Sequence, residues 1–544
     1  MSRSTLWRVL AVALPTLGAL AAPLPSVDLT FLLRAGSEIL SSGAIPTVDT
    51  WTFTAAGTPW LDQQWGSEVL LQLVYGAVGW TGLVLLRAAL VGLAFGLLLA
   101  TVRRRAPGLG SIGAALVVIA AFVVSADALA LRAQLFAIVL FATTLYVLAI
   151  RDERPRAVWV IPVFAALWAN LHGTFLFVPA LCGLAWLADL YDAAARKASA
   201  SSEAPARPKG LELHRMLIVG LVATAVTLIN PFGPAVWGYV ANLTSNPTIA
   251  SRVSEWRAPS PLTIPGALLW FSVAAVAALA IVRVRRGLSA RVGGSRRPGV
   301  GGGAFRATGT IPWPALLTLA LFGGFALVSG RGLAWWPFVA SFVIAPWLVP
   351  AGPTAAAAPA SEPRPTPPTL RRLNLAIVAA LGIAGIALLP IWRPVGAAGA
   401  PSGALSYAPQ GIAAALNSGT CMQPGPSGPR AWNPQVWGSW LEFAAPCHSY
   451  AIDSRIELFS EQVWSDEATV AAAGSGWDAV LDRYSVGEVV TNRSTDQDLE
   501  AALGESGHWQ LVYADCDGSV WSRIIGPKQA GHPFGGPPTE PACP

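Results

Sequence analysis

The sequence predicts a polytopic α-helical membrane protein of about eleven transmembrane helices, with a C-terminal extracytoplasmic domain of mixed α/β structure. Three observations predict it. The 544-residue chain is 53% hydrophobic and 12% charged, with a mean hydropathy of +0.52, too apolar for an ordinary soluble enzyme. Its apolar residues recur in runs, most of them near the roughly 20 residues needed to cross a bilayer as a helix. Lys and Arg, finally, crowd into alternate loops, which assigns each loop a side of the membrane.

The runs lie at Leu6–Leu24, Trp80–Val102, Ile112–Ser125, Leu135–Ile150, Ala157–Asn170, Thr174–Leu190, Met216–Asn230, Ile264–Val284, Ile311–Ser329, Trp335–Val349 and Leu373–Ile391. The first has Arg3 and Arg8 followed by an apolar stretch, as a signal peptide would, but no convincing small-residue cleavage site accompanies it, so it is read as a helix. With the N-terminus in the cytoplasm, the inner loops collect Arg103–Arg105, Arg151, Arg154, Arg156, Arg196, Lys197, Arg207, Lys209 and Arg215. Further along they collect Arg283, Arg285, Arg286, Arg291, Arg296, Arg297, Arg306, Arg364, Arg371 and Arg372. The outer loops hold Arg34, Arg132, Arg252, Arg257 and Arg331. This asymmetry predicts a multi-pass protein of the cytoplasmic membrane, N-terminus inside and C-terminal domain outside. The net charge of +6 is then a product of topology and of contact with anionic lipid, and no nucleic-acid partner is expected.

Within the membrane part, residues 1–392, the first outer loop (26–68) is acidic. Ser289–Thr310 is Gly/Arg-rich and Ala351–Thr369 is Ala/Pro-rich, both linker-like. Residues 393–404 read as a linker, 405–530 as the extracytoplasmic α/β domain and 531–544 as a flexible tail. In that domain Pro409–Ser418, Trp477–Tyr484 and Gln497–Leu503 have helical spacing. Ser449–Ile452, Val486–Thr491, Trp509–Tyr513 and Ser519–Ile524 read as short strands. Cys182 falls in an apolar run, whereas Cys421, Cys447, Cys516 and Cys543 all fall in the outer part. Four cysteines in an oxidising compartment predict two disulfides, with all three pairings open. A structural zinc site is disfavoured because no Cys-x-x-Cys pair exists.

Soluble-enzyme motifs are absent: no Walker loop, dinucleotide fingerprint, nucleophile elbow or His-Glu-x-x-His. Polar residues gather instead at the outer face. The first outer loop carries Asp28, Glu38, Asp49, Asp62 and Glu68 against one base, Arg34, with Trp51, Trp60 and Trp65 among them. Such a loop can anchor a bundle at the interface through caps and tryptophans. It can also offer a catalytic carboxylate, for which Asp28, Asp49 and Asp62 are the candidates. At the outer ends of later spans stand Arg132 and Gln134, Asn170 and His172 within Trp168–Gly173, Asn230–Gly233, Glu255-Trp256-Arg257, and Arg331. Arg87 lies inside the second span, where a charge is costly; it either marks a site or snorkels and pairs locally. His172 is a candidate base, with a hydrogen-bonded helix-end residue as the plainer reading. Cations would hold a lipid-linked phosphate while a carboxylate takes a proton from an acceptor hydroxyl. The substrate-binding candidates are therefore Arg87, Arg132, Gln134, Asn170, His172, Glu255 and Arg331.

The succession of Asp28, Gly36, Ile45-Pro46 with Asp49, Gly57 with Pro59-Trp60, and Trp65 with Glu68 resembles membrane glycosyltransferases of the GT-C class. Trp168–Gly173, Asn230–Gly233 and Glu255-Trp256 extend the likeness to a poorly characterised bacterial branch of that class. The class includes protein O-mannosyltransferases, oligosaccharyltransferase catalytic subunits and aminoarabinose transferases. The resemblance implies a polyprenyl-phosphate-linked sugar donor, an extracytoplasmic acceptor (envelope glycan, lipid or protein), and Asp28 as base with Asp49 or Asp62 as a second acid. A divalent cation is the one cofactor it leaves open. The chain departs from the family pattern at Leu32, four residues after the first Asp, where many relatives carry a histidine. A non-catalytic membrane scaffold with a degenerate site is the alternative, and a transporter or flippase the third reading.

Overall fold

The structure is a computed structural model. It describes residues 1–24, 26–198, 210–247, 253–292, 311–349, 367–396, 398–405, 408–418 and 428–524. Cys421, Cys543, the tail from 531 and most of the two low-complexity loops lie outside the described residues. Among the described residues, seven helices are long and apolar enough to cross a membrane: Arg3–Ala21, Trp65–Arg105, Pro107–Ala128, Ala133–Ile150, Gly173–Ala195, Ile264–Arg285 and Pro368–Ala387. Four shorter apolar helices, Pro155–Ala169, Arg215–Val226, Trp313–Val328 and Trp336–Leu348, coincide with the remaining predicted runs. The eleven runs are thus all helical, but four of them are shorter than a full bilayer crossing.

The chain forms two compact units. The first comprises Met1–Ala22, Leu85–Val240 and Ala250–Trp392. Its helices are apolar on nearly every side, which suits a lipid environment rather than an amphipathic surface position. For Pro368–Ala387, only 6% of the apolar window is buried by protein, so lipid is the natural cover for the rest. Its first helix is capped by the Ser2 hydroxyl, which accepts from the Thr5 amide at 3.1 Å. That helix packs on the Gly110–Ser125 and Pro368–Ala387 helices. Arg87, 2% exposed, reaches the same helix's far end and donates to the carbonyls of Ala19 and Ala22. Those carbonyls belong to the last turn, which has no intrahelical donors left to satisfy it. An aromatic knot of Phe141, Trp168, Phe177, Phe322 and Trp335 fills the middle of this unit, with ring centroids 5.1–6.3 Å apart.

The second unit comprises Pro23–Val84, Ala241–Ile249 and Arg393–Pro544. The acidic first loop therefore clusters with the C-terminal domain. That domain is built on a five-stranded mixed sheet: β1 (Arg430–Trp432), β2 (Ser449–Tyr450), β3 (Glu488–Asn492), β4 (Trp509–Ala514) and β5 (Gly518–Arg523). The strand order is β2-β1-β3-β5-β4, parallel from β2 to β3 and antiparallel from β3 to β4. All four expected strand segments and all three expected helices overlap observed elements. Arg430–Trp432 and the helices Gln435–Ala444 and Glu461–Ala471 are additional.

The core under the sheet is Trp432, Val470, Leu481, Val489, Leu499, Leu503 and Trp509, and Phe53 from the first loop packs against it. Thr52 makes a parallel bridge with Tyr450, and the Phe53 amide donates to the Tyr450 carbonyl at 3.0 Å. The loop thus adds a short extended segment to the exposed edge of β2, satisfying backbone groups that an edge strand leaves open. The loop's helix, Ser26–Ser42, packs on Gln435–Ala444. Gly36 lets it lie against the next helix, because a Cβ there would meet the Glu68 carbonyl oxygen at 2.3 Å. Residues 393–404, expected as a linker, include a bridge between Val395 and Pro401 and a hydrogen bond from the Gly396 amide to the Ala400 carbonyl at 2.8 Å.

Candidate functional site

In the first unit, three candidates separated widely in sequence come together. Arg132 is the N-cap of the Ala133–Ile150 helix, and Glu255 belongs to a single helical turn, Ser254–Trp256. Arg331 lies in a second such turn, Gly330–Ala334. Glu255 pairs with Arg132 through one carboxylate oxygen, while the Arg331 Nε lies 3.8 Å from the other. The two turns are tied by their backbones: the Gly330 amide donates to the Arg257 carbonyl at 3.0 Å, and the Ser329 hydroxyl donates to the Glu255 carbonyl at 3.2 Å. Arg331 also sits over the Trp256 ring, 4.3 Å from its centroid, which orients the guanidinium as well as attracting it.

The three side chains remain 25%, 38% and 31% exposed, so the cluster is reachable from outside. Burial pushes the Glu255 carboxyl up, but Arg132 and Arg331 prevail and hold it below its usual range. It is ionised at neutral pH.

His172 belongs to this surrounding. Burial, then the charges of Arg331 and Arg132, drive its pKa down to about 3. Its Nδ1 accepts from the Thr174 amide at 3.3 Å and lies 2.8 Å from the Thr174 hydroxyl. That acceptor role leaves the ring proton on Nε2. At neutral pH this histidine is an uncharged donor and adds no charge to the two arginines. Asn170 caps the Ile161–Ala169 helix and ties it to the segment after Arg215–Val226, donating to the carbonyls of Ala166 and Ile229 at 2.8 and 2.9 Å. Gln134 occupies the first turn of the helix that Arg132 caps and is half-buried.

The second unit holds the acidic residues of the first loop. Asp28 lies in the first turn of Ser26–Ser42, where the helix N-terminus favours a negative charge, and it is half-buried. Asp49 is 1% exposed and fully engaged. It accepts from the Trp51 amide at 3.2 Å, the Thr52 amide at 3.1 Å and the Thr52 hydroxyl at 2.6 Å, and it pairs with Arg455 at 2.7 Å. Arg455 also pairs with Asp453, and its guanidinium lies 4.0 and 4.7 Å from the ring centroids of Trp51 and Trp60. Asp62 is 1% exposed, and neither of its oxygens nor those of the fully buried Glu68 accepts a hydrogen bond of normal geometry from the described residues. Burial pushes Asp62 up to about 6, partly offset by a hydrogen bond with Glu68 and by the charge of Arg455. A proton held between these two carboxyl groups supplies the donor both otherwise lack.

Burial, then the neighbouring Asp453, push Glu442 well above the usual carboxylate range, so it too keeps its proton. The result is a sealed network of one guanidinium, two tryptophan faces and several carboxyl groups, some of them protonated. Sequence reasoning did not single out Arg455, Asp453 or Glu442, because nothing in their spacing announces that they meet the first loop. Of the C-terminal cysteines, neither Cys447 nor Cys516 is a free thiol, and buried Cys182 is the free cysteine among the described residues. No group of three or more His, Cys, Asp or Glu residues suited to a metal ion occurs among the described residues.

No family model and no curated protein matches the chain. Two crystal structures of the Archaeoglobus fulgidus oligosaccharyltransferase are similar to it in chain trace. The apo form aligns at a TM-score of 0.48 and 11% identity, covering 95% of this chain and 74% of that one. The form tethered by a disulfide to an acceptor peptide containing the NVT sequon aligns at 0.49 and 12%, with the same coverage. Likenesses at this TM-score and identity carry no assignment of activity.

Proposed function

We propose that this protein is a membrane glycosyltransferase of GT-C type, moving a sugar from a polyprenyl-phosphate donor to an acceptor outside the cytoplasmic membrane. The observation that carries this reading is the meeting of Arg132 and Arg331, from distant parts of the sequence, on the partly exposed Glu255. Two fixed guanidinium groups suit a phosphate, which they can contact in planar, charge-assisted fashion. Asp28 is the general base of the reading: of the three candidate acids it is the one not sealed in the interior. Asp49 and Asp62 then serve as struts. The residues present name no cofactor, and a divalent cation would have to draw on fewer than three acidic or His/Cys ligands among those described.

The direct test presents purified protein with a panel of polyprenyl-phosphate sugars and looks for release of polyprenyl phosphate. Turnover with at least one donor is expected. Inertness toward every donor, with binding of a protein partner by the outer domain, would favour the scaffold reading. That reading draws on Leu32, 1% exposed and packed where the family pattern has a polar histidine. The topology of the proposal, N-terminus inside and the sheet domain outside, is checked by labelling cysteines introduced at Arg154 and Arg493. Label reaching position 154 from the outside would reverse it. Oxidation of Cys421, Cys447, Cys516 and Cys543 in two disulfides is the companion expectation; non-reducing mass spectrometry that finds four free thiols would refute it.

A further inference from the structure

Neither Cys447 nor Cys516 is a free thiol, and the sheet between them decides whether they can be partners. Cys447 stands just before β2, and Cys516 stands in the turn between β4 and β5. The order β2-β1-β3-β5-β4 puts β2 and β4 on opposite edges, roughly 19 Å apart at about 4.8 Å for each strand spacing. β2 runs parallel to β3 through β1, whereas β5 runs antiparallel to β3. The start of β2 and the β4–β5 turn therefore also lie at opposite ends of the strands. A disulfide needs Cα atoms within about 7 Å of each other. Cys447 and Cys516 do not bond to each other within one chain.

We infer that Cys447 bonds to Cys421 and Cys516 to Cys543, each partner lying outside the described residues. The inference rests on the outer, oxidising placement of this domain in the reading above, since each bond needs an oxidant. Two thiols give up two protons and two electrons, and the disulfide of an extracytoplasmic protein oxidant takes them up to become a dithiol.

The described flanks of Cys421 carry the choice of partner. On one side, the Asn417 side-chain amide donates to the Ala444 carbonyl at 2.6 Å. On the other, the Ser449 amide donates to the Pro429 carbonyl at 3.0 Å. Both flanks are thus bonded to the stretch 444–449, which contains Cys447. The helix before Cys421, Gln410–Leu416, starts beside the β4–β5 turn, because a Cβ on Gly411 would collide with the Tyr513 hydroxyl and the Asp515 carboxylate. It is capped by Asn417 beside Ala444, so the chain has left Cys516 before it reaches Cys421. Cys516 is left for Cys543, which follows the end of β5 at Arg523 by about 20 residues, ample to span one strand back to the turn. The first bond staples the segment leading into β2, the edge on which Thr52 and Phe53 dock.

The test uses full-length protein purified from membranes without reductant, alkylated under denaturing conditions and digested with trypsin. Cleavage after Arg430, Arg455 and Lys528, among other sites, puts the four cysteines on four different peptides. Non-reducing mass spectrometry should find the Cys421 peptide linked to the Cys447 peptide and the Cys516 peptide linked to the Cys543 peptide, with Cys182 as the one alkylated thiol. In Cys421→Ser, Cys447 should become alkylated while the Cys516–Cys543 link persists; in Cys516→Ser, Cys543 should become alkylated while the Cys421–Cys447 link persists. A Cys421–Cys516, Cys447–Cys543 or Cys447–Cys516 link would overturn the pairing and leave the oxidising placement standing. Links found only in a covalent dimer on a non-reducing gel would overturn it as well. Four alkylated thiols in the C-terminal part would overturn the pairing and the outer placement together. Should either variant fail to fold, the wild-type peptide map decides alone.

Discussion

Each unit gathers arginines and carboxylates, and the two gatherings differ in one respect that matters. Around Glu255 the side chains of Arg132, Glu255 and Arg331 are about a quarter to two-fifths exposed, and the neighbouring Trp256 N–H has no acceptor among the described residues. In the second cluster the side chains of Arg455, Asp49 and Asp453 are at most 1% exposed, and two carboxylates meet one guanidinium. The surplus acids there keep protons or accept several hydrogen bonds. The first cluster is partly exposed, whereas the second is closed on itself. Conserving shape and sealing out water distinguish a strut from a site, even where the residue types are the same.

The largest effect should follow from breaking the strut. Arg455→Met removes the partner of two buried carboxylates and should destabilise the protein by about 3–5 kcal/mol. Thermal unfolding in detergent would show this, and an unchanged melting temperature would mean that Asp49 and Asp453 are not held by that charge.

Next comes the open cluster. Arg132→Gln should leave the melting temperature nearly unchanged and lower transfer by roughly 100- to 1,000-fold, the scale of losing one fixed donor to developing negative charge. A large loss of stability with unaffected turnover in the surviving protein would make this cluster a second strut.

Asp28→Asn keeps size and removes the proton acceptor. Transfer should fall by roughly 100-fold while the protein still inserts. Wild-type turnover would assign Asp28 to the helix N-terminus, where it has a structural use as well.

The smallest effect is a pH dependence in the strut. The folded protein holds Asp62 near 6, above its unfolded value of about 3.9, so folding favours the protonated form. The stability this contributes is complete below about pH 4 and is lost as pH rises through about 6. Asp62→Asn keeps a neutral side chain at every pH, and it should flatten the decline in melting temperature between pH 4 and 7. An equally steep decline in the variant would assign the titration to another group.

Much of the fold was legible because it rests on local signals. Apolar runs of helical length declared the helices from Arg3–Ala21 to Pro368–Ala387, and β-branched and aromatic alternation declared the strands around Val489 and Trp509. The site was legible in part. Arg132, His172, Glu255 and Arg331 were singled out one at a time, as polar residues at the ends of apolar segments. Their convergence was not, since no sequence spacing links positions on four separate segments. Asp49 and Asp62 looked equivalent to Asp28 on the page. Burial separates them, and burial depends on a sheet edge and an arginine some 400 positions away.

Sequence by itself determined that this chain is membrane-embedded, helical, and followed by an α/β domain, because hydropathy and periodicity act over a few turns of chain. Tertiary structure alone decided that the acidic loop joins the C-terminal sheet, through Thr52 and Phe53 on Tyr450. It also decided which carboxylates face water and which arginines share a partner. Those outcomes depend on desolvation and on charges meeting across long stretches of sequence, and both are properties of three-dimensional neighbours.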